Sequence, residues 1–283
     1  MKTGKEIWTS IMDDWEIKIL TREQALRSWF TRDVDPIRAQ IDGLDIGWGG
    51  IQRWATSQIP AQSSGLHLDF ACGYGTFLAQ LGWRFPSMRL IGLNIDFIGP
   101  HATIRPLLAH AKVVAMLVQA DARWMPFPRC SFDSVSCFMG LQDIEIGFGE
   151  DGVRNTLAEA VRVLQPGGVL TLLDEIDFKR MEKFLEDLPV TVQDRAERRL
   201  DIQWNHHVAS IAIRLYTQGW VDQMRIPEED TEAHHEAYQA VLTHLETEVE
   251  QQIVEQGYYV PFGPVRIIVA RKGQIPSDPL DIY

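Results

Sequence analysis

The stretch LHLDFACGYGTFLAQL, residues 66–81, limits the possible folds more than any other part of the chain. An apolar run passes through Gly73 and Gly75 directly into helical spacing at Phe77, Leu78 and Leu81. A strand that turns this tightly into a helix needs backbone at positive φ, which glycine adopts without steric cost. The turn also leaves the first amides of the new helix without partners, a donor-lined cradle for a polar or anionic ligand. Glycines in such a place can equally do no more than close the turn. The segments around them decide between the two roles.

Further apolar runs recur at RLIGLNI (89–95), KVVAMLVQA (112–120), FDSVSCF (132–138) and GVLTLLDE (168–175), with helical spacing between them, as at Val153, Leu157, Ala160, Val161 and Leu164. Strands apolar on both faces and separated by helices predict a parallel sheet covered on both sides. The expected fold is therefore α/β and doubly wound. The charged segment DFKRMEKFLEDLPVTVQDRAERRLDIQWNHH predicts one or two partly exposed helices inserted at about 177–205. After it, Val208, Ile211, Ala212 and Leu215 predict a core-facing helix and GWVDQMRI (219–226) a strand. A long helix is expected over 231–256, with Ala237, Val241, Leu245, Val249 and Ile253 at spacings of four, and a last strand at VRIIVARKG (265–273). Residues 1–60, with Trp8, Trp15, Trp29, Trp48 and Trp54, read as an N-terminal helical cap on a main domain spanning 61–283.

Charge narrows the partners. With 27 Lys and Arg against 39 Asp and Glu, a net charge of -12, most of the surface repels a phosphate backbone, so no nucleic acid is expected. The 3 cysteines, Cys72, Cys130 and Cys137, show no framework spacing and read as free thiols in a reducing cytoplasm. The opening MKTGKEIWTSIMDDWEIKIL lacks the apolar core of a signal peptide, and no run approaches the roughly 20 apolar residues of a membrane span. No membrane partner is expected.

Two later segments complete a pattern: QADARWMPFPRCSFDSVSCF (119–138) and EAVRVLQPGGVLTLLDE (159–175). In order and spacing, residues of about 65–175 resemble the LDxxCGxG, GxDxS, DAxxLPFPDxSFDxV and RVLxPGGxL motifs of the class I S-adenosylmethionine-dependent methyltransferases that act on small molecules. A dinucleotide-binding G-x-G-x-x-G would need glycine where Leu78 stands. The resemblance implies a Rossmann-like, mostly parallel seven-stranded sheet that binds S-adenosylmethionine where the first and fourth strands meet. Asp69, Ala71, Gly73 and Gly75 would then lie along the amino-acid part of the cofactor, Asn94 and Ile95 at its ribose, Asp121 and Ala122 at its adenine, with Phe138 beside them. Asp69 and Asp121 are alternatively plain turn or cap residues, and Trp124, Met125 and Phe127 either pack on the adenine or fill the core.

The chain departs from the pattern at Asn94, where the family's acid accepts the ribose hydroxyls. An amide oxygen lacks the charge that strengthens such bonds, so Asn94→Asp is expected to tighten cofactor binding. Asp96 either substitutes for that acid or, as the stronger reading, caps the following helix.

The methyl acceptor would sit beyond the fourth and fifth strands, with Gln142, Asp143 and Glu175 as its pocket. Asp143 and Glu175 are candidate bases, or else caps and positioning groups. Asp143, Asp174, Glu175 and Asp177 could gather a magnesium ion, but no metal is expected. The adjacent pairs His206-His207 and His234-His235 do not share a helix face and read as surface. RMEKFLEDL (180–188) either roofs the acceptor or forms a homodimer surface. A second reading is a cofactor-binding protein of the same fold that transfers no methyl group or uses a modified cofactor.

Overall fold

The computed structural model describes residues 50–60, 65–98, 101–102, 104–199, 203–224, 226–261 and 263–274. The predicted N-terminal cap lies outside the described residues apart from a helix α1, Ile51–Gln58. The strands are β1 (Gly65–Phe70), β2 (Met88–Asn94), β3 (Ala115–Gln119), β4 (Phe132–Phe138), β5 (Leu164–Asp174), β6 (Val190–Arg198) and β7 (Val265–Lys272). Helices α2 (Thr76–Arg84), α3 (Ile104–His110), α4 (Leu141–Val163) and α5 (Phe178–Leu185) alternate with them. Together the strands form one 7-stranded sheet in the order β3-β2-β1-β4-β5-β7-β6. Strands β1 to β5 are parallel, and β7 runs antiparallel between β5 and β6. The predicted doubly wound, mostly parallel sheet is thus observed.

Alternation along the strands sorts the side chains into two layers. Leu68 and Phe70 of β1, Val135 and Cys137 of β4, Leu170 and Leu172 of β5, and Ile268 and Ala270 of β7 face one core, into which α4 sends Val153, Leu157 and Ala160 and α5 sends Met181, Phe184 and Leu185. Each such fully buried side chain contributes about 1.5–3 kcal/mol relative to exposure. Between these positions on β1, β4 and β5 lie His67, Asp69, Ser134, Ser136 and Thr171, all buried and all polar. Polar groups in a buried layer need partners.

The charged segment is a correction. Only Phe178–Leu185 is helical there, and Val190–Arg198 forms β6, paired with β7. Its half-buried Val190, Val192 and Ala196 stand among exposed Thr191, Gln193, Asp194 and Arg195, the period-2 pattern of a strand with one wet face. Charges and the register shift between Val192 and Asp194 suit an edge strand, where they discourage pairing with another chain.

Residues 199–263 contribute to a separate compact unit. Here α6 (His206–Gln223) packs on α7 (Thr231–Gln256), the latter as expected from sequence. Residues 219–223 of the predicted strand at 219–226 are instead the end of α6. Ala209, Ala212, Ile213, Tyr216 and Trp220 continue one helical stripe through Gly219, and the cluster of Trp204, Leu245, Val249 and Tyr259 covers it. Among the described residues, no helix is long and apolar enough to cross a membrane.

Candidate active site

The carboxyl ends of the parallel strands bring most of the predicted site residues to one edge of the sheet. After β1 the chain takes positive φ at Ala71 (53°), Gly73 (48°) and Gly75 (79°) before α2 begins. Gly75 is the N-cap of α2 and supplies no side chain to its free amides. A Cβ on Gly75 would stand 2.5 Å from Ile104 Cγ1, whereas one on Gly73 would meet nothing within 4 Å. The loop is therefore tight behind Gly75 and open in front of Gly73. Gln52 of α1 donates to Thr76 Oγ1 at 2.9 Å, fixing the first residue of α2; nothing in the sequence marked this contact.

Asp69 lies at the end of β1, next to that open face. Its Oδ1 accepts a hydrogen bond from Ser136 Oγ at 2.6 Å, while Oδ2 is buried with no protein partner. Burial pushes the carboxyl up to about 7, against the Ser136 bond that draws it down. An unpartnered buried oxygen at the foot of this loop fits a ligand with a cationic or hydrogen-bonding end.

At the tip of β2, Asn94 is engaged with the neighbouring loops. Its Oδ1 accepts from the Gly73 amide at 3.4 Å, and its Nδ2 donates to the Asp96 carbonyl at 2.8 Å. The amide fastens the glycine loop to the β2–α3 loop, a job that needs both an acceptor and a donor. Asp96 does not cap α3, which starts eight residues later; its Oδ1 closes its own turn on the Ile98 amide at 3.3 Å and meets His101 Nδ1 at 2.9 Å. Ile95 is exposed at the rim.

Beyond β3, Asp121 caps the short 3₁₀ turn Ala122–Trp124, as its alternative reading had it, by accepting from the Arg123 amide at 2.9 Å. The Arg123 guanidinium also grips both oxygens of Asp121, with Nη2 2.7 Å from Oδ2. That guanidinium lies 3.4 Å above the Phe148 ring centroid, so the carboxylate has a fixed direction. The aromatic candidates separate: Met125 and Phe127 belong to the core cluster, and Trp124 is 65% exposed.

The residues expected on the acceptor side lie at the ends of β4 and β5. Phe138 stacks on Phe77 of α2 at 4.6 Å. The buried Asp174 ends β5, and its Oδ2 accepts from the amides of Leu141 (3.0 Å) and Gln142 (3.3 Å) while Oδ1 accepts from Glu175 (2.8 Å). One carboxylate thus holds the start of α4, where Gln142 and Asp143 lie, and the backbone of Glu175. Asp143 is exposed in the first turn of α4. Asp177, another proposed cation ligand, caps α5 through the Arg180 amide at 3.0 Å. Among the described residues, no group of three or more His, Cys, Asp and Glu is placed to hold a metal.

Sequence reading missed His67 and Ser136, which are linked to Asp69 across the β1–β4 register. The alternation of His67 with Asp69 and of Ser134 with Ser136, inside runs otherwise apolar, was the available signal.

With this geometry in hand, comparison places the chain. Residues 68–172 match the family described as a methyltransferase domain. That match runs from β1 to β5 of the sheet. A demethylmenaquinone methyltransferase of Deinococcus radiodurans is 34% identical over 133 residues, 47% of this chain and 51% of that protein. The chain thus spans about half the length of that relative. Among solved structures, a Bacillus halodurans protein proposed to be a methyltransferase aligns with TM-score 0.53 at 18% identity, over 80% of this chain and 100% of that one. The [4+2]-cyclase SpnF aligns equally, with TM-score 0.53 at 14% identity over 80% of this chain and 82% of that one. These likenesses are of fold.

Proposed function

We propose that the chain binds S-adenosylmethionine at the carboxyl edge of the sheet and transfers its methyl group to a small-molecule acceptor. One observation carries this reading: a buried carboxylate oxygen of Asp69 has no protein partner, and it stands near the end of β1 just before a glycine loop with open space at Gly73. When bound, the cofactor supplies a methyl group on an electrophilic sulfonium. The protein's share of such an in-line displacement is to position the reactants and exclude water.

Asp69 receives the ammonium end, and the first amides of α2, which no side chain caps, receive the carboxylate. Asp121 retains acceptor capacity beyond Arg123, because an ionised carboxylate offers about four lone-pair sites. Arg123, anchored on Phe148, holds it toward the adenine amine, while the Ala122 amide serves a ring nitrogen. Gln142, Asp143 and Glu175 face the acceptor, with Asp143 and Glu175 as its candidate bases. Free thiols at Cys72, Cys130 and Cys137 suit a reducing cytoplasm.

The relatives' name, demethylmenaquinone methyltransferase, makes demethylmenaquinone the first acceptor to try. Incubation with methyl-labelled cofactor and that acceptor should give labelled product. Binding without product from any small acceptor would favour the second reading, a binding protein of this fold. Asn94, spent on loop contacts, is the observation behind that alternative.

Two substitutions test the cofactor site by calorimetry with S-adenosylhomocysteine. Asp121→Ala should weaken binding by about 1–3 kcal/mol through loss of a buried hydrogen bond. Unchanged affinity would remove Asp121 from the adenine site. Asn94→Asp should now weaken binding, contrary to the expectation from sequence, because an oxygen would replace the donor that faces the Asp96 carbonyl. A tighter complex would show that the loop reorganises to free a carboxylate for the ribose.

A further inference from the structure

His67 is fully buried in the middle of the sheet, and the chemistry proposed above makes no use of it. Its Nδ1 lies 2.7 Å from Ser134 Oγ and its Nε2 2.9 Å from Ser136 Oγ. Ser136 in turn lies 2.6 Å from Asp69 Oδ1. Four polar side chains therefore form a continuous line through an otherwise apolar layer, from the interior to the cofactor edge.

The proton positions in this line follow from the inventory of donors. An ionised Asp69 only accepts, so the Ser136 hydroxyl proton points to it. Ser136 Oγ must then accept from His67, which requires the proton on Nε2. Nδ1 is left as an acceptor and takes the Ser134 hydroxyl proton. Every donor points toward Asp69, and bonds aligned in this way reinforce one another.

We propose that His67 is a positioning residue that acts through Ser136 to favour the ionised form of Asp69 and to turn its free oxygen toward the cationic end of the cofactor. The proposal rests on the cofactor reading given above. Burial keeps His67 neutral by lowering its pKa to about 3, so the ring serves as a fixed dipole and not as a charge. The other ionisable groups that feel the charge of Asp69 are Cys72 of the glycine loop and, through the sheet, Cys137 of β4; burial raises both thiols, leaving them protonated at neutral pH. Asp174 lies beyond Cys137, at the end of β5. Burial pushes the Asp69 carboxyl up to about 7, so it loses its proton near neutral pH. The cationic ligand should bind more tightly as that proton leaves.

The test begins with the free protein, by following the Asp69 carboxyl carbon through a pH titration in NMR. In the unmodified chain the midpoint should lie near 7. Ser136→Ala should raise it by about one pH unit, the size expected for a lost hydrogen bond to a charged group. His67→Leu should move it in the same direction, and His67→Gln, which keeps a donor and an acceptor, should restore it. Midpoints unchanged in both Ser136→Ala and His67→Leu overturn the relay.

Calorimetry with S-adenosylhomocysteine between pH 6 and 8 supplies the functional half. Affinity should rise through the Asp69 midpoint, and the rise should move upward with it in Ser136→Ala. Binding with a flat pH profile overturns the relay and leaves the cofactor reading standing. Absence of binding at every pH overturns both.

Discussion

Replacement of Asp174 by alanine is expected to lower the unfolding free energy by about 3 kcal/mol, measured by urea denaturation at neutral pH. The side chain is fully buried and accepts from the amides of Leu141, Gln142 and Glu175. Removing it strands three donors, two of them at the start of a helix whose other partners lie further along the chain. Asp174→Asn keeps one acceptor and should cost clearly less. The pH dependence separates the two effects. Burial raises the Asp174 carboxyl from 3.8 to about 6, against the three amide bonds that lower it, so the folded chain holds this proton more tightly than the unfolded one. Its contribution to stability is then largest below pH 3.8 and declines as pH rises through 6. That decline should vanish in Asp174→Asn. Unaltered stability of the alanine variant would mean that the start of α4 is held by other contacts. Gln142 and Glu175, proposed above to face the acceptor, should shift along with the fold, since this carboxylate holds their amides.

Gly75→Val should cost a similar amount, about 3 kcal/mol, and abolish binding of S-adenosylhomocysteine. A β-branched residue at a φ of 79° is strained whatever surrounds it, and here its Cβ would also overlap Ile104. The strained loop would have to open, carrying Gly73 and the α2 amides out of place. Gly73→Ala provides the contrast. Its φ of 48° costs about 1–2 kcal/mol for an L-residue, but the space before it is open, so its main effect should be on ligand affinity. Thermal denaturation and calorimetry on the two variants read these effects separately. Wild-type stability in Gly75→Val would contradict the close packing of the loop against α3.

The strand–loop–helix unit at 65–84 was legible because positive φ, apolar periodicity and the glycine positions all pointed the same way. Strand β6 was not, since its charges concealed a half-buried alternation that only β7 on one side makes sense of. At 219–226, aromatic and β-branched residues suggested a strand, but tertiary cover on Tyr216 and Trp220 carried the helix through. The site shows the same division. Asp69, the loop and Asp121 stand out in the sequence by their places at strand ends. The partners that set their behaviour were hidden: Ser136 lies 67 residues from Asp69 and meets it only through the β1–β4 register. Asn94 looked like a weakened ribose acceptor, because sequence cannot show that both ends of an amide are already committed to loop backbone.

The most direct measurement of the central claim is a crystal structure with S-adenosylhomocysteine bound. The expected result has the ligand's amino-acid end at Asp69 and the Gly73–Gly75 loop, its adenine at Asp121 and Ala122, and its sulfur facing the Gln142–Asp143 side. A ligand bound elsewhere, or one that leaves the second oxygen of Asp69 without a partner, would contradict the account.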